Sequence, residues 1–233
     1  MSSSSMQAKK HTKKSFVLRR GRVTAAQRRA LNSLKNEYTI KLNKGMLNLA
    51  GAFLDPDRKL IADVGFGSGE SLLSMANKYS EANFVGIEVY SSGIGSALNQ
   101  IQESNLTNLK IIEADVFQLL ETNIADDTFD GIVFLYPDPW PKRKHHKRRL
   151  LSERFLNLLY DKTTNNGLVF CKTDWENYYY QIKERFSADE RWASEDLTNL
   201  PEYLHSLPKT KYERKALIEG RQPRELFYRK ASR

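Results

Sequence analysis

The sequence predicts an α/β fold, in which helices cover both faces of a mostly parallel β-sheet. From Leu60 onward, short apolar runs of strand length alternate with longer stretches of helical period, as is typical of such a sheet. The first apolar run leads into a glycine-rich loop at residues 65–69, a feature that strands of this fold class often show at ligand sites. The fourth run ends in three prolines within five residues. Proline cannot continue a sheet ladder, so the chain must turn sharply there.

The positions of the predicted elements follow from this alternation. Strands are expected near residues 60–64, 84–88, 109–113, 131–136 and 168–173, with a last strand near residues 225–229. Helices are expected near residues 70–78, 92–104, 116–121, 152–162 and 175–187. Thr24 is suited to cap one further helix, which runs through Gln27, Leu31 and Leu34. The length of the chain fits one domain with a sizeable core.

Positive charge is concentrated in two segments. The 233 residues carry a formal net charge of +9, and residues 1–36 hold ten Lys/Arg without any Asp/Glu. Residues 142–149 hold six more, again without an acid. Elsewhere 21 Lys/Arg stand against 28 Asp/Glu, which is a net charge of −7. A negative body with two positive segments predicts a partner rich in phosphates.

The composition also bounds the organisation and the compartment. We expect a basic N-terminal arm over residues 1–36, disordered over residues 1–14, and one domain over residues 37–233. No apolar stretch approaches the roughly 20 residues that a membrane helix needs, so a cytoplasmic protein is expected. The single cysteine, Cys171, lies in an apolar run. It is therefore expected to be buried, and it cannot form an internal disulfide.

Three acidic residues end three consecutive predicted strands and so share one edge of the sheet. Asp63 precedes the loop that holds Gly65 and Gly67. Glu88 and Asp115 end the next two strands, where they can meet ribose hydroxyls and an adenine amino group. The loop reads G-x-G-x-G rather than the G-x-G-x-x-G of dinucleotide sites. Because acids surround it, a cationic ligand with an amine fits this edge better than a pyrophosphate.

The turn at residues 137–141 holds a second set of candidate site residues. Its prolines fix φ, so the carboxylate of Asp138 and the indole of Trp140 are held with little entropy left to lose. A fixed acid beside a flat aromatic ring suits a polar, planar ligand. Trp140 can stack on a nucleic-acid base or pack under the basic loop, and both options stay open. The basic segment that follows suits a phosphate backbone.

Motifs along the chain resemble those of a known family. They are Gly86-Ile87-Glu88-Val89, Tyr136-Pro137-Asp138-Pro139-Trp140 with Lys142 and Lys147-Arg148-Arg149, Thr173-Asp174-Trp175-Glu176 and Thr210-Lys211-Tyr212-Glu213. The glycine-rich loop resembles that of class I S-adenosylmethionine-dependent methyltransferases. The whole set looks like the bacterial tRNA (guanine-N(7)-)-methyltransferase family, over about residues 16–230. One departure is Asp63, where the family more often has Glu.

The resemblance implies a Rossmann-like class I methyltransferase fold with a seven-stranded sheet. It implies that S-adenosyl-L-methionine donates a methyl group to N(7) of a guanine in the variable loop of tRNA, at position 46 of that RNA. The implied cofactor ligands are Asp63, Gly65, Gly67, Glu88, Asp115 and Asp138, of which Asp138 is also the implied catalytic residue. The implied substrate ligands are Lys142, Asp174, Thr210, Lys211, Tyr212 and Glu213, and the implied RNA contacts are Lys144, His145, His146, Lys147, Arg148 and Arg149. No metal is implied, and the protein is expected to be a monomer or homodimer.

Several alternatives stay open from the residues themselves. Asp174 can act as a helix N-cap, and Thr210 and Glu213 have the spacing of a capping box. A nucleic-acid methyltransferase acting on an exocyclic amine would also place a polar residue, proline and an aromatic after the fourth strand, although normally with two prolines. A non-catalytic RNA-binding protein with a degenerate cofactor site is a further alternative. The intact glycines and strand-end acids argue against it.

Overall fold

The computed structural model describes residues 22–205 and 207–231, which form seven strands and eight α-helices. The strands are β1 (Lys59–Val64), β2 (Ala82–Glu88), β3 (Leu109–Glu113), β4 (Phe129–Leu135), β5 (Thr163–Thr173), β6 (Trp192–Ser194) and β7 (Arg224–Lys230). The helices are α1 (Ala25–Ser33), α2 (Lys35–Tyr38), α3 (Glu70–Lys78), α4 (Ser91–Ser104), α5 (Val116–Thr122), α6 (Glu153–Lys162), α7 (Glu176–Ser187) and α8 (Lys211–Ile218). The expectation of disorder over residues 1–14 lies outside the described residues.

One sheet contains all seven strands, in the order β3-β2-β1-β4-β5-β7-β6. The pairs among β1 to β5 are parallel, whereas β7 is antiparallel to both β5 and β6. Parallel strands bring their carboxyl ends to the same edge, and the strand order reverses at β1 and β4. Ligands bind at such switch points in open α/β sheets, so this edge is where a site is expected.

Alternate residues of each inner strand pack into two separate apolar layers. Phe84 of β2 packs with helices α1, α3 and α4 on one face, whereas its neighbour Val85 packs with α5, α6 and α7 on the other. Strand side chains point to opposite faces in turn, so a sheet covered on both faces needs continuous apolar strands. Every residue of β2 is buried, as this arrangement requires. The predicted α/β class with helices on both faces is confirmed.

The predicted strands and helices are confirmed with shifts of one or two residues at their ends, except that β5 begins at Thr163, five residues before its predicted start. Helix α2 and strand β6 were not predicted. With three residues, β6 is too short to give a periodic signal. Cys171 is buried in β5, as expected. None of the helices in the described part of the chain has the length and apolar character that a membrane crossing requires.

The described part of the N-terminal arm is docked on the body. Thr24 caps α1 as predicted, since its hydroxyl accepts a hydrogen bond from the Gln27 amide at 3.2 Å. Helix α1 packs on α4, where Gly95 lets the helices approach; a Cβ there would lie 2.8 Å from the Gln27 carbonyl oxygen. Ala30 and Leu34 are buried in this contact. Helix α1, although inside the predicted arm, therefore forms part of the folded unit.

Candidate active site

The loop between β1 and α3 is built on glycines with positive φ. The φ angles of Gly65, Gly67 and Gly69 are +74°, +62° and +91°, a region that favours glycine strongly. Gly93, in the first turn of α4, packs against this loop so closely that a Cβ would lie 2.1 Å from the Gly67 carbonyl oxygen. The loop and α4 therefore meet backbone to backbone, and they leave room for a ligand beside them.

Glu88 clamps this loop from the end of β2. One carboxylate oxygen accepts a hydrogen bond from the Gly67 amide at 3.0 Å. The other accepts bonds from the amides of Val89, at 2.7 Å, and Tyr90, at 3.0 Å. Burial raises the pKa of Glu88, although these amides oppose the shift. The carboxylate lines the cavity described below while it fixes the loop's position.

Asp63 is the least satisfied acid of the site. Its side chain is 1% exposed at the end of β1, and neither carboxyl oxygen has a hydrogen-bond partner among the described residues. Burial, and then the neighbouring Glu88, raises the pKa of Asp63 to about 8. A buried carboxyl group without a partner is costly, and one in a native structure needs an explanation. A cationic ligand group next to Asp63 would supply that explanation.

A cavity of about 440 Å³ opens at this edge of the sheet, which is a size that suits a small-molecule ligand. Its walls come from the glycine loop, the ends of β2 and β4, and helices α1, α4 and α8. Gln27 of α1 and Tyr212 of α8 stand among the lining residues. A smaller recess adjoins it, is lined by Asp63 and Thr210, and shares walls with it at Gly65, Gly67, Lys211 and Tyr212.

The turn after β4 brings Asp138 to the cavity wall. Tyr136 and Trp140, each followed by a proline, have φ angles of +56° and +44°, a conformation that non-glycine residues adopt at a cost. The Asp138 side chain stays accessible from the cavity, and partial burial by the surrounding protein raises its pKa. The strained turn therefore presents a carboxyl group to any ligand in the cavity.

Asp115 lies beside the cavity rather than in its lining. Its carboxylate caps α5 by accepting a hydrogen bond from the Gln118 amide at 3.0 Å. Ala114 and Val116, on either side of it, do line the cavity. The structure thus places Glu88 and Asp138 in the wall of the cavity, Asp63 in the recess that adjoins it, and Asp115 at its margin.

Asp174 does not take the helix-capping role that the sequence left open for it. The expected N-cap role is wrong, because α7 begins at Glu176 with Trp175 at the N-cap position. The Asp174 carboxylate instead accepts a hydrogen bond from the Arg221 guanidinium at 2.6 Å. A ligand role for Asp174 remains a proposal, and Arg221 orients the carboxylate in either case.

Only half of the expected capping box at α8 forms. The Thr210 hydroxyl accepts a hydrogen bond from the Glu213 amide at 3.1 Å, as predicted. The Glu213 carboxylate is buried and turns away from the cap to pair with Lys172 at 3.3 Å. Lys172 also pairs with Glu225, at 3.1 Å. These ion pairs attach α8, which carries Lys211 and Tyr212, to strands β5 and β7 beside the cavity.

Comparison with known proteins agrees with these observations. A family model described as a putative methyltransferase matches residues 57–226. A tRNA (guanine-N(7)-)-methyltransferase of Nitrosococcus oceani is 40% identical over 206 residues, covering 88% of this chain and 86% of the relative. The enzyme of that name from Bordetella pertussis is 36% identical and covers 94% of this chain and 85% of the relative. The chain belongs to the tRNA (guanine-N(7)-)-methyltransferase family.

Solved structures show that the family fold extends to other methyltransferases. The 16S rRNA methyltransferase KamB superposes with a TM-score of 0.54 at 14% identity, over 91% of this chain and 95% of KamB. An antibiotic-related methyltransferase gives a TM-score of 0.53 at 19% identity, over 86% of this chain and 99% of that one. At such low identity these likenesses establish the fold alone, which is the class I methyltransferase fold that the motifs implied.

The residues of the cavity fit S-adenosyl-L-methionine, the methyl donor of this enzyme family. Asp63 offers an unpaired buried carboxyl group to a ligand amine, and Glu88 stands at the end of β2, where it can accept further hydrogen bonds. At Gly65 and Gly67 no atom of the described residues, apart from the glycine itself and its two chain neighbours, lies within 4 Å of the position that a Cβ would take. The backbone loop is therefore open to a ligand.

The basic segment forms a short loop whose Lys and Arg side chains are exposed, with the exception of Arg149. A 3₁₀-helix spans Arg143–Arg148, and the side chains of Lys142, Lys144, Lys147 and Arg148 face solvent, with His145 and His146 half-buried. Arg149 differs from the expected RNA contact: it is 3% exposed and donates a hydrogen bond to the Pro139 carbonyl oxygen at 2.7 Å. Because its guanidinium points into the protein, it does not extend the exposed basic surface.

Trp140 packs under the basic loop. The Arg148 guanidinium lies 4.9 Å from the centre of its indole ring, and the His145 ring meets the indole edge to face at 5.8 Å. Of the two options for Trp140, stacking on a nucleic-acid base or packing under the basic loop, this structure shows the packing.

Two residues of the site region lack a motif that could reveal them. Gln27 is recognisable in the sequence only as part of a helix cap, although it also lines the cavity. Lys172 precedes the Thr173-Asp174 motif, but nothing in the sequence indicates that it joins α8 to the sheet.

Proposed function

We propose that this protein transfers a methyl group from S-adenosyl-L-methionine to N(7) of a guanine in tRNA, and that the guanine lies in the variable loop. The observation that carries this proposal is the buried Asp63, which has no hydrogen-bond partner among the described residues and lies beside a positive-φ glycine loop, with Asp138 in the wall of the adjoining cavity. Membership of the tRNA (guanine-N(7)-)-methyltransferase family supplies the acceptor atom.

Cofactor binding is proposed to use the carboxylates and glycines around the cavity. Asp63 would pair with the amine of the methionine part, while Gly65 and Gly67 let the backbone approach it. Glu88 would accept hydrogen bonds from the ribose, and Asp115, at the margin, would face the adenine. When bound, this cofactor supplies an electrophilic methyl group on a sulfonium.

The acceptor chemistry requires positioning more than proton transfer. Guanine N(7) carries an in-plane lone pair on the exposed edge of the base, so no proton has to be removed before methylation. Holding two reacting atoms in line can lower a barrier by roughly 7–11 kcal/mol. The purine gains positive charge as the methyl group arrives, and a fixed carboxylate at Asp138 would stabilise that charge.

The rest of the acceptor is proposed to bind around the cavity mouth. Lys142 stands at the start of the exposed basic loop, and Thr210, Lys211 and Tyr212 border the recess at Asp63. Glu213 is buried in its pair with Lys172, so we propose that it acts by holding α8 rather than by direct contact. The exposed cations from Lys144 to Arg148 would lie along the RNA phosphates.

The test is transfer of labelled methyl groups from S-adenosylmethionine to unmodified tRNA transcripts, followed by mass spectrometry of the digested nucleosides. Asp138→Asn should lower kcat by roughly 100- to 1000-fold, a loss comparable to removal of one electrostatic transition-state contact. Asp57→Asn, at an exposed acid ahead of β1, is the matched control and should behave as the wild type. Replacement of the variable-loop guanosine should abolish the product.

Three results would contradict the proposal. Methyl groups recovered on an exocyclic amine would favour that class of nucleic-acid methyltransferase. Binding of tRNA without transfer to any transcript would favour a non-catalytic RNA-binding protein. Full activity on a transcript that lacks the variable-loop guanosine would move the target elsewhere in the tRNA.

A further inference from the structure

Arg149 stands at the end of the basic loop but is directed inward. Its Nε donates a hydrogen bond to the Pro139 carbonyl oxygen at 2.7 Å, and its Nη1 donates to the Asn177 side chain at 3.0 Å and to that of Gln181. The guanidinium also lies 4.7 Å from the centre of the Tyr178 ring. This one side chain therefore joins the turn after β4 to helix α7.

Helix α7 holds the chain on the other side of Arg149 as well. The Leu151 amide donates a hydrogen bond to the buried Tyr178 hydroxyl at 3.1 Å, and the Arg185 guanidinium donates to the Leu151 carbonyl. The base of the basic loop is thus attached to helix α7, whose inner face is buried at Tyr178, Ile182 and Phe186, while residues 142–148 project from it. Because helix α7 holds the Arg149 side chain in place, the hydrogen bond from Arg149 to Pro139 can restrain the turn.

The residue that Arg149 bonds, Pro139, directly follows Asp138. The turn is strained, because Tyr136 and Trp140 both have positive φ, and such conformations persist only where surrounding contacts impose them. The bond from Arg149 is a contact across the base of the loop, ten residues along the chain, and it restrains the backbone next to Asp138. Loss of this bond would leave Asp138 free to move relative to the cavity.

We propose that Arg149 is a positioning residue, which holds the turn that carries Asp138 in its working geometry and makes no contact with tRNA. This inference rests on the proposed function, since the turn matters through methyl transfer. It separates Arg149 from the exposed cations Lys144, Lys147 and Arg148, which remain the proposed phosphate contacts.

Arg149→Lys distinguishes the two roles, because lysine keeps the charge but lacks the planar fork that reaches three acceptors at once. The variant should lower kcat at saturating substrates by about 10- to 100-fold, the loss expected from a small misplacement. Its Kd for tRNA and the salt dependence of that Kd should match the wild type. Lys147→Ala, at an exposed cation of the same loop, should instead weaken tRNA binding and lower the log–log salt slope by about 0.7–0.9.

A second variant guards against a folding defect in Arg149→Lys. Asn177→Ala combined with Gln181→Ala removes two acceptors on α7 and leaves the basic loop intact. It should lower kcat in the same direction, and adding Arg149→Lys should cost less than the product of the separate losses. Thermal melts show whether each variant is folded at the assay temperature.

Two results would overturn the inference. The first is a kcat equal to that of the wild type in both the α7 double variant and Arg149→Lys. The other is weaker tRNA binding with a reduced salt slope in Arg149→Met, which removes the charge at this position. The measurement of tRNA binding does not depend on methyl transfer. If the wild-type protein transferred no methyl group, the proposed function would fail. The binding of Arg149→Met would still show whether Arg149 contacts tRNA.

Discussion

Replacement of Asp63 by Asn should stabilise the cofactor-free protein while weakening cofactor binding. The pKa of this buried group is about 8 against an ordinary 3.8, so the native state holds a proton that the unfolded chain releases at neutral pH. At roughly 1.4 kcal/mol per pH unit, keeping that proton costs about 4 kcal/mol of stability at pH 7. Asparagine removes this cost, although its unpaired amide costs about 1–3 kcal/mol. A net gain of roughly 1–3 kcal/mol remains.

The pH dependence gives the more specific assay. Because the native pKa of Asp63 is raised, its contribution to stability is fully present below about pH 4 and is lost as the pH rises towards 8. Between pH 5.5 and 7.5 the wild type should lose roughly 2–3 kcal/mol through this group. Urea unfolding of the cofactor-free protein at both pH values measures the loss. In Asp63→Asn the free energy of unfolding should not show this decrease with pH. In Asp57→Asn, the exposed control, the decrease should remain.

Cofactor binding should change in the opposite direction. Pairing with a ligand amine requires the ionised carboxylate, so binding near pH 7 should release a proton, which calorimetry in two buffers detects. Loss of a charge-assisted hydrogen bond, worth about 1.5–3 kcal/mol, should raise the Kd for S-adenosylmethionine by roughly 10- to 100-fold in Asp63→Asn. The reasoning would be refuted if the variant had the wild-type pH slope and an unchanged Kd, because Asp63 would then be ionised and paired within the protein.

Two further substitutions test the framework of the site. Gly93→Ala should lower stability by roughly 1–3 kcal/mol and weaken cofactor binding, since its Cβ would lie 2.1 Å from the Gly67 carbonyl oxygen; an unchanged urea midpoint would contradict this. Lys172→Met should cost roughly 2–4 kcal/mol, because it leaves Glu213 and Glu225 without their shared cation. Adding Glu213→Gln should recover part of that loss in urea unfolding, and a further loss instead would show that Glu213 has another partner.

Short-range sequence patterns were sufficient to predict the main strands and helices and the edge of the sheet at which the site lies. Strands and helices were predictable because apolar period reports which face of a segment is buried. The carboxyl ends of β1 to β3 could be placed at one edge because parallel strands leave no other arrangement. Thr24 and Thr210 were predictable caps for the same local reason, since an N-cap bonds an amide only three residues away.

Partners distant in sequence were not predictable in this way. Glu213 has the spacing of a capping box, yet its carboxylate pairs with Lys172, 41 residues earlier. Asp174 precedes a helix, yet it bonds Arg221, 47 residues later. In each case the sequence offers a local partner for the side chain, and the packing of α8 and β7 on the sheet supplies a distant one.

The sequence by itself determined the α/β class, the glycine loop, the acids at the strand ends and the family, because each of these is written in short patterns of adjacent residues. Only the tertiary structure decided which charged groups face water. Arg149 belongs to a continuous basic run, and its inward direction follows from acceptors on Pro139 and on α7. Asp63, buried at the end of β1, has no hydrogen-bond partner among the residues that the structure describes. Burial and pairing depend on what the folded chain brings near, and no local pattern contains that information.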